Sequence, residues 1–318
     1  MNVTTPAATT PNMDLLEERT YIILDSVLGF GLALCLLIGL PGNLIALKNF
    51  RNSKKSTLSN KLYIAACSID LCSCVVHLPV TIGLFNSRRP GVFGNSHFCN
   101  SWYFVLLFLQ QTSMFVAMLL SVSRAIVILR PFHEVRKRAV LLSIPVNLLF
   151  FLAFTGTFFF YSSAVYEIAI VYCCRGYTGS PYVFNTYHVY YSLSTGAPPI
   201  IVLISFIISV KVLLKKNLAH QKSNRSSSSC GKTERVDDAR RHASITIAYF
   251  SAIFLVCNSL TFANNVLYTY TIVDGEYPGP IYSSTAMFFY AWPICEICCT
   301  VLNATLNSVL YNWRMKMH

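Results

Sequence analysis

Seven long apolar runs, at about 22–47, 62–86, 99–129, 139–163, 187–214, 243–271 and 281–311, limit what this chain can become more than any other feature. Each is long enough to cross the roughly 30 Å hydrocarbon core of a bilayer as a helix. Backbone amides and carbonyls find no water there, so only helices and closed barrels can span it. The runs are continuously apolar and lack the short alternating segments of a barrel, which leaves the helix. With 54% hydrophobic and 12% charged residues, the chain has more apolar surface than a soluble interior could absorb. The expected architecture is an all-α membrane protein, a seven-transmembrane helix bundle whose two ends lie on opposite sides.

The net charge of +12 would suggest nucleic acid on a soluble surface, but the basic residues are confined to particular connections. Lys48, Arg51, Lys54, Lys55 and Lys61 follow the first run, Arg130, Arg136, Lys137 and Arg138 the third, and Lys211, Lys215, Lys216, Lys222, Arg225, Lys232, Arg235, Arg240 and Arg241 the fifth. The other side carries only Arg19, Arg88, Arg89 and Arg175. The positive-inside bias therefore predicts an extracellular N-terminus and a cytoplasmic C-terminus, in a multi-pass protein of the plasma membrane with lipid, and no nucleic acid, as its surroundings. The sequon Asn2-Val3-Thr4 marks Asn2 as a glycosylation candidate, whereas Asn303-Ala304-Thr305 falls inside a span. The predicted organisation is an extracellular tail over 1–21, a seven-transmembrane domain over 22–311 with a cytoplasmic linker at about 215–242, and a short cytoplasmic tail over 312–318. The first thirteen residues are polar, so insertion is expected to be directed by the first apolar helix.

Eight of the twelve cysteines, Cys35, Cys67, Cys72, Cys74, Cys257, Cys295, Cys298 and Cys299, lie in apolar runs, where a thiol acts as a small hydrophobe. Cys99, Cys173 and Cys174 lie in connections on one side and Cys230 on the other. Asp70 and Glu296 are carboxyl groups within apolar helices, which are costly unless paired and therefore point to function. Arg124 stands at the end of the third run, where a long cationic side chain can reach the interface. No nucleophile elbow, phosphate-binding glycine loop or zinc-type His-Glu-x-x-His motif is present, so no enzyme is expected.

Several residues recur in a known order and spacing: Gly42-Asn43 in the first span, Asp70-Leu71 and Pro79 in the second, and Cys99, Ser113, Arg124 and Pro131 along the third. Pro198-Pro199 follows in the fifth, Phe254 to Cys257 in the sixth, and Asn303, Asn307 and Tyr311 in the seventh. Together they resemble the rhodopsin-like (class A) G-protein-coupled receptors over about 22–313. The resemblance implies a disulfide from Cys99 to Cys173 or Cys174, closing a loop over the bundle mouth. It implies that Asp70, Ser113, Asn303 and Asn307 converge on a sodium ion and ordered water, with Asp70 and Ser113 as ligands. The alternative is a helix-to-helix hydrogen-bond network without an ion. It also implies that Arg124, with Tyr311, contacts a heterotrimeric G protein.

The chain departs from that family at several positions. Arg124 sits in Ser123-Arg124-Ala125, without the preceding acid or the following aromatic. The sixth span reads Cys257-Asn258-Ser259-Leu260, without tryptophan or proline, and Ser308 stands where a proline would follow Asn307. Leu106 and Val301 occupy the positions of the amine-receptor aspartate and the opsin lysine, which argues against a monoamine or retinal ligand. Gln110, Gln111, His188, Asn258, Asn265 and Glu296 are the candidate ligand pocket, and a peptide is the default ligand for a mouth of mixed charge. No cofactor other than sodium is expected. Two alternatives stand beside a G-protein-coupled receptor: an atypical seven-helix receptor without ordinary coupling, and a transporter or channel, which would need a continuous polar path.

Overall fold

A computed structural model describes residues 15–53, 57–85, 96–129, 137–168, 172–177, 181–223, 245–246, 248–259, 261–263 and 284–316. The helices are α1 (Leu15–Asn52), α2 (Leu58–Phe85), α3 (Ser96–Leu129), α4 (Lys137–Tyr161), α5 (Pro181–Ser223), α6 (described over 248–259 and 261–263) and α7 (Ser284–Lys316). Among the described residues, five of them contain stretches long and apolar enough to cross a membrane, and α6 forms a shorter apolar helix. Internal prolines, Pro41, Pro79, Pro145 and the pair Pro198-Pro199, do not end their helices. Such helices tolerate proline because neighbouring elements satisfy the freed carbonyls.

Three helices extend beyond the apolar runs that mark them. Helix α1 begins at Leu15, inside the expected tail, α5 continues to Ser223, inside the expected linker, and α7 continues to Lys316. Apolar character marks only the lipid-crossing part, whereas a helix continues into water until something stops it. The 43 residues of α5 extend roughly 65 Å, about twice the hydrocarbon thickness.

The connection between α4 and α5 also modifies the all-helical expectation. It contains β1 (Ser162–Ile168) and β2 (Tyr172–Tyr177), an antiparallel hairpin that pairs Tyr166 with Cys174 and Glu167 with Cys173, with an irregularity between Ala164 and Tyr166. Tyrosine, valine and isoleucine in SSAVYEI and YCCRGY suit a pleated surface. Strand β2 lies against α3.

Helix α1 packs on α2 and α7, α2 also meets α3 and α7, and α3 packs on α4 and α5. Large apolar side chains point outward along α1 (Leu37, Ile38, Leu44, Ile45) and α4 (Leu142, Val146, Leu149, Phe150). The interior holds Asn43, Asp70, Gln111, Asn303 and Asn307. Two apolar clusters fill the bundle. One, with Leu32, Leu36, Cys74, Trp102, Val301 and Ala304, lies toward the Cys99 end; the other, with Phe50, Leu62, Tyr63, Cys67, Phe254 and Tyr311, toward the Arg124 end. Asp70 lies on α2 between Cys67 and Cys74, so a polar layer separates the clusters.

Candidate functional site

The interior face of α2 carries the site. Tyr63, Ala66, Cys67, Asp70, Ser73, Cys74, His77 and Thr81 are all buried, recurring at the three- and four-residue spacing of one helix face. His77 Nδ1 lies 2.6 Å from the Ser73 carbonyl oxygen, and Thr81 donates to the His77 carbonyl at 3.1 Å, so these polar groups are partly satisfied within α2. Trp102 Nε1 of α3 donates to the Val76 carbonyl at 2.8 Å and links the two helices.

Asp70 is only 3% exposed, and Asn307 Nδ2 donates to its Oδ2 at 3.3 Å. Ser113 of α3 is a second hydrogen-bonding neighbour of that carboxyl group. Asn303 stands one turn before Asn307 on the same face of α7 and is also buried. The structure thus brings Asp70, Ser113 and Asn307 together, with Asn303 adjacent along α7.

The placement of Asn307 follows from how α7 lies on α1. Cys298 Sγ approaches the Leu28 carbonyl at 3.9 Å, Thr305 Oγ1 donates to the Cys35 carbonyl at 2.8 Å, and Asn312 Nδ2 to the Gly42 carbonyl at 2.9 Å. Every pair is offset by 270 positions, with seven residues between rungs, so the helices run parallel in one register. Asn43 Nδ2 returns a bond to the Ala304 carbonyl at 3.1 Å. Small residues permit this approach: a Cβ on Gly39 would meet Thr305 Oγ1 at 2.7 Å, and one on Gly42 would collide with Ser308 Oγ. Ser308 is fully buried and donates to the Thr305 carbonyl at 2.7 Å.

Of the expected ligand-pocket residues, Gln110 Nε2 donates to Thr261 Oγ1 of α6 at 3.1 Å, and Gln111 Nε2 to Ser194 Oγ of α5 at 3.3 Å. Gln111 is fully buried, and its Oε1 has no hydrogen-bond partner among the described residues. Asn258 is buried and donates within α6, to the Phe254 carbonyl at 2.8 Å, and not across to α3. His188 and Glu296 sit on α5 and α7, and their side chains lie outside the described set, as do Asn265 and Asn2 altogether. Cys99 is in the first turns of α3 and Cys173 and Cys174 are in β2, but their pairing lies outside the described side chains.

Arg124 lies over the Tyr63 ring, its Cζ 5.7 Å from the centroid. Its Nε and Nη2 are buried and have no acceptor among the described residues. Tyr63 stacks on Phe50 at 5.0 Å, and Tyr311 meets both rings edge-on, at 5.2 Å from Tyr63 and 6.2 Å from Phe50. Phe250 of α6 stacks near Tyr311 at 6.3 Å. Arg124 and Tyr311, paired in expectation, therefore both touch Tyr63. Sequence reading missed Tyr63, Phe50, Thr305 and Asn312. The available signal for Tyr63 was its position seven residues before Asp70, on the same face.

The chemistry of the donor set bears on a cation. Asn303 Oδ1 and Asn307 Oδ1 are buried without partners among the described residues, and with the Asp70 carboxylate and Ser113 they offer only oxygen. Among the described residues no three His, Cys, Asp or Glu are grouped as metal ligands. One carboxylate among neutral oxygens fits a hard cation and not a transition metal.

Parallel helices, lipid-facing apolar surfaces and a polar interior define a helical membrane bundle with a buried polar relay. The chain matches the family model for the 7 transmembrane receptor (rhodopsin family) over residues 42–311 and belongs to that family. None of the curated proteins compared with the chain matches it. The family is one of signalling receptors and not of transporters or channels.

Proposed function

We propose that this receptor answers an extracellular ligand at the Cys99 end and activates a heterotrimeric G protein at the Arg124 end, with the N-terminus outside the plasma membrane. The observation that carries this reading is the Arg124 fork. Two buried N–H donors without acceptors among the described residues stand at the end of α3, ready for carbonyl or carboxylate groups of a partner. Between the opposite mouth and that end lie the polar side chains of Gln111, Asp70 and Asn307, all buried, and of Ser113, which is partly buried. A ligand shifts the bundle only if it binds one state more tightly than the other. A peptide is the proposed ligand class, and Gln111 Oε1, without a partner among the described residues, is an acceptor for its amide groups.

A G-protein activation screen in cells, with wild type and Arg124→Ala, tests the coupling. Signal from wild type that disappears in Arg124→Ala supports it; silence from wild type across the G-protein families, under a peptide library, would falsify it. Sodium at Asp70 is the second element of the proposal, its ligands being Asp70 and Ser113 with the Asn303 and Asn307 oxygens. Asp70→Asn should remove the effect of sodium on ligand binding. Sodium dependence that survives the substitution removes the ion from Asp70.

A second reading, a receptor that binds ligand without ordinary coupling, draws on two observations. Asn258 is engaged with its own helix where the family usually has tryptophan, and α7 runs unbroken through Ser308. Specific ligand binding without nucleotide exchange on any G protein would favour it.

A further inference from the structure

Arg124 lacks the acidic neighbour that would hold it, because Ser123 precedes it and donates within α3, to the Leu120 carbonyl at 2.9 Å. Its guanidinium rests on an aromatic face instead, within the roughly 6 Å range over which the negative face of a ring attracts a cation. That face belongs to a buried assembly: Tyr63 from α2, Phe50 from α1, Tyr311 from α7 and Phe250 from α6. With Arg124 from α3, five helices meet at one point.

We propose that Tyr63 is the positioning residue for Arg124, its ring holding the guanidinium in the resting bundle in place of the carboxylate that Ser123 does not supply, and that displacement of α6 or α7 frees the arginine. The chain of contacts gives the route. Movement of α6 separates Phe250 from Tyr311, Tyr311 is the edge-on support of the Tyr63 ring, and the ring is the surface under Arg124. Stacking on Phe50 at an interplanar angle of 6° fixes the orientation of the ring. A cation–π hold is weaker than a buried ion pair, so the resting state leaks more readily. The inference rests on the proposed role of Arg124 in G-protein coupling.

The test replaces Tyr63 by phenylalanine and then by phenylalanines of increasing fluorination, which keep the shape of the ring while draining its negative face. Ligand-free nucleotide exchange on G protein is measured in membranes carrying the full chain, and thermal unfolding is measured on the purified chain. Tyr63→Phe is the reference against which the fluorinated rings are compared, because it keeps the ring and differs from them in the charge of its face. The most fluorinated ring should raise ligand-free exchange roughly fivefold, with intermediate rings between. The midpoint of unfolding should fall along the series, and that slope should vanish in an Arg124→Gln background. Measurable exchange that is indifferent to fluorination, or an unfolding slope unchanged by Arg124→Gln, overturns the proposal. Should no variant drive exchange, the coupling reading fails while the unfolding series still decides: an Arg124-dependent slope supports the hold and an Arg124-independent one refutes it.

Discussion

Asp70 must be satisfied where it stands, because a carboxyl group at the centre of a membrane helix costs about 3 kcal/mol even on the most lenient scale. Asn307 and Ser113 supply donors to it. Removing a donor to a buried group that can carry charge costs about 1.5–3 kcal/mol. Asn307→Ala should therefore lower the unfolding midpoint of the purified chain, whereas truncating the lipid-facing Leu37 should change it less; equal losses would mean that Asn307 does not support Asp70. Asp70 was legible in the sequence because a carboxyl group in an apolar run is anomalous on its own. Tyr63 was not, because a tyrosine in such a run is ordinary, and its importance depends on rings from three other helices and a guanidinium from a fourth. Gln110 and Gln111 were legible as polar, but not as partners of Thr261 and Ser194, since adjacent residues on a helix face different neighbours.

At the scale of elements, α1 and α7 form the most tightly registered pair. Rungs at seven-residue spacing lie roughly 10 Å apart along the axes, and each direct bond contributes about 0.6 kcal/mol in a membrane setting. Close approach matters more than the sum of the rungs, because side chains placed at Gly39 or Gly42 would force the helices apart. Gly42→Ala should cost about 1–3 kcal/mol of stability, and adding Ser308→Gly should recover part of it by reopening the space. Gly31→Ala, which meets nothing within 4 Å, is the control and should be nearly silent. Thermal unfolding of the four proteins measures this; no recovery in the double variant would mean that Ser308 is not what Gly42 accommodates. The spans themselves could be read from apolar length, which lipid imposes directly. Their ends could not, since α5 and α7 continue through polar residues that carry no membrane signal. The β1–β2 hairpin escaped for a related reason: strand pairing depends on two short segments finding each other, and each alone looks like a connection.

The whole molecule inverts the soluble pattern, with apolar side chains outward toward lipid and a polar layer between two apolar clusters inside. That inversion supports a switch. The apolar clusters hold the two ends, and the layer around Asp70 lies where small rearrangements exchange hydrogen bonds without exposing apolar surface to water. Seven spans and the order of the motif residues made the family legible from the chain alone, and the match over 42–311 establishes it. The mode of activation was less legible, because the positions at which this chain departs from its family, Ser123, Ala125, Asn258 and Ser308, are defined by what is missing. What replaces those residues is a matter of tertiary contact.

The central claim is that the Arg124 end of this bundle acts on a G protein. It is tested most directly by reconstituting the purified full chain in lipid nanodiscs with purified heterotrimeric G proteins and following GDP release. The account predicts release faster than the spontaneous rate with wild type, and a return to that rate with Arg124→Ala. Acceleration that is identical in wild type and Arg124→Ala would contradict it.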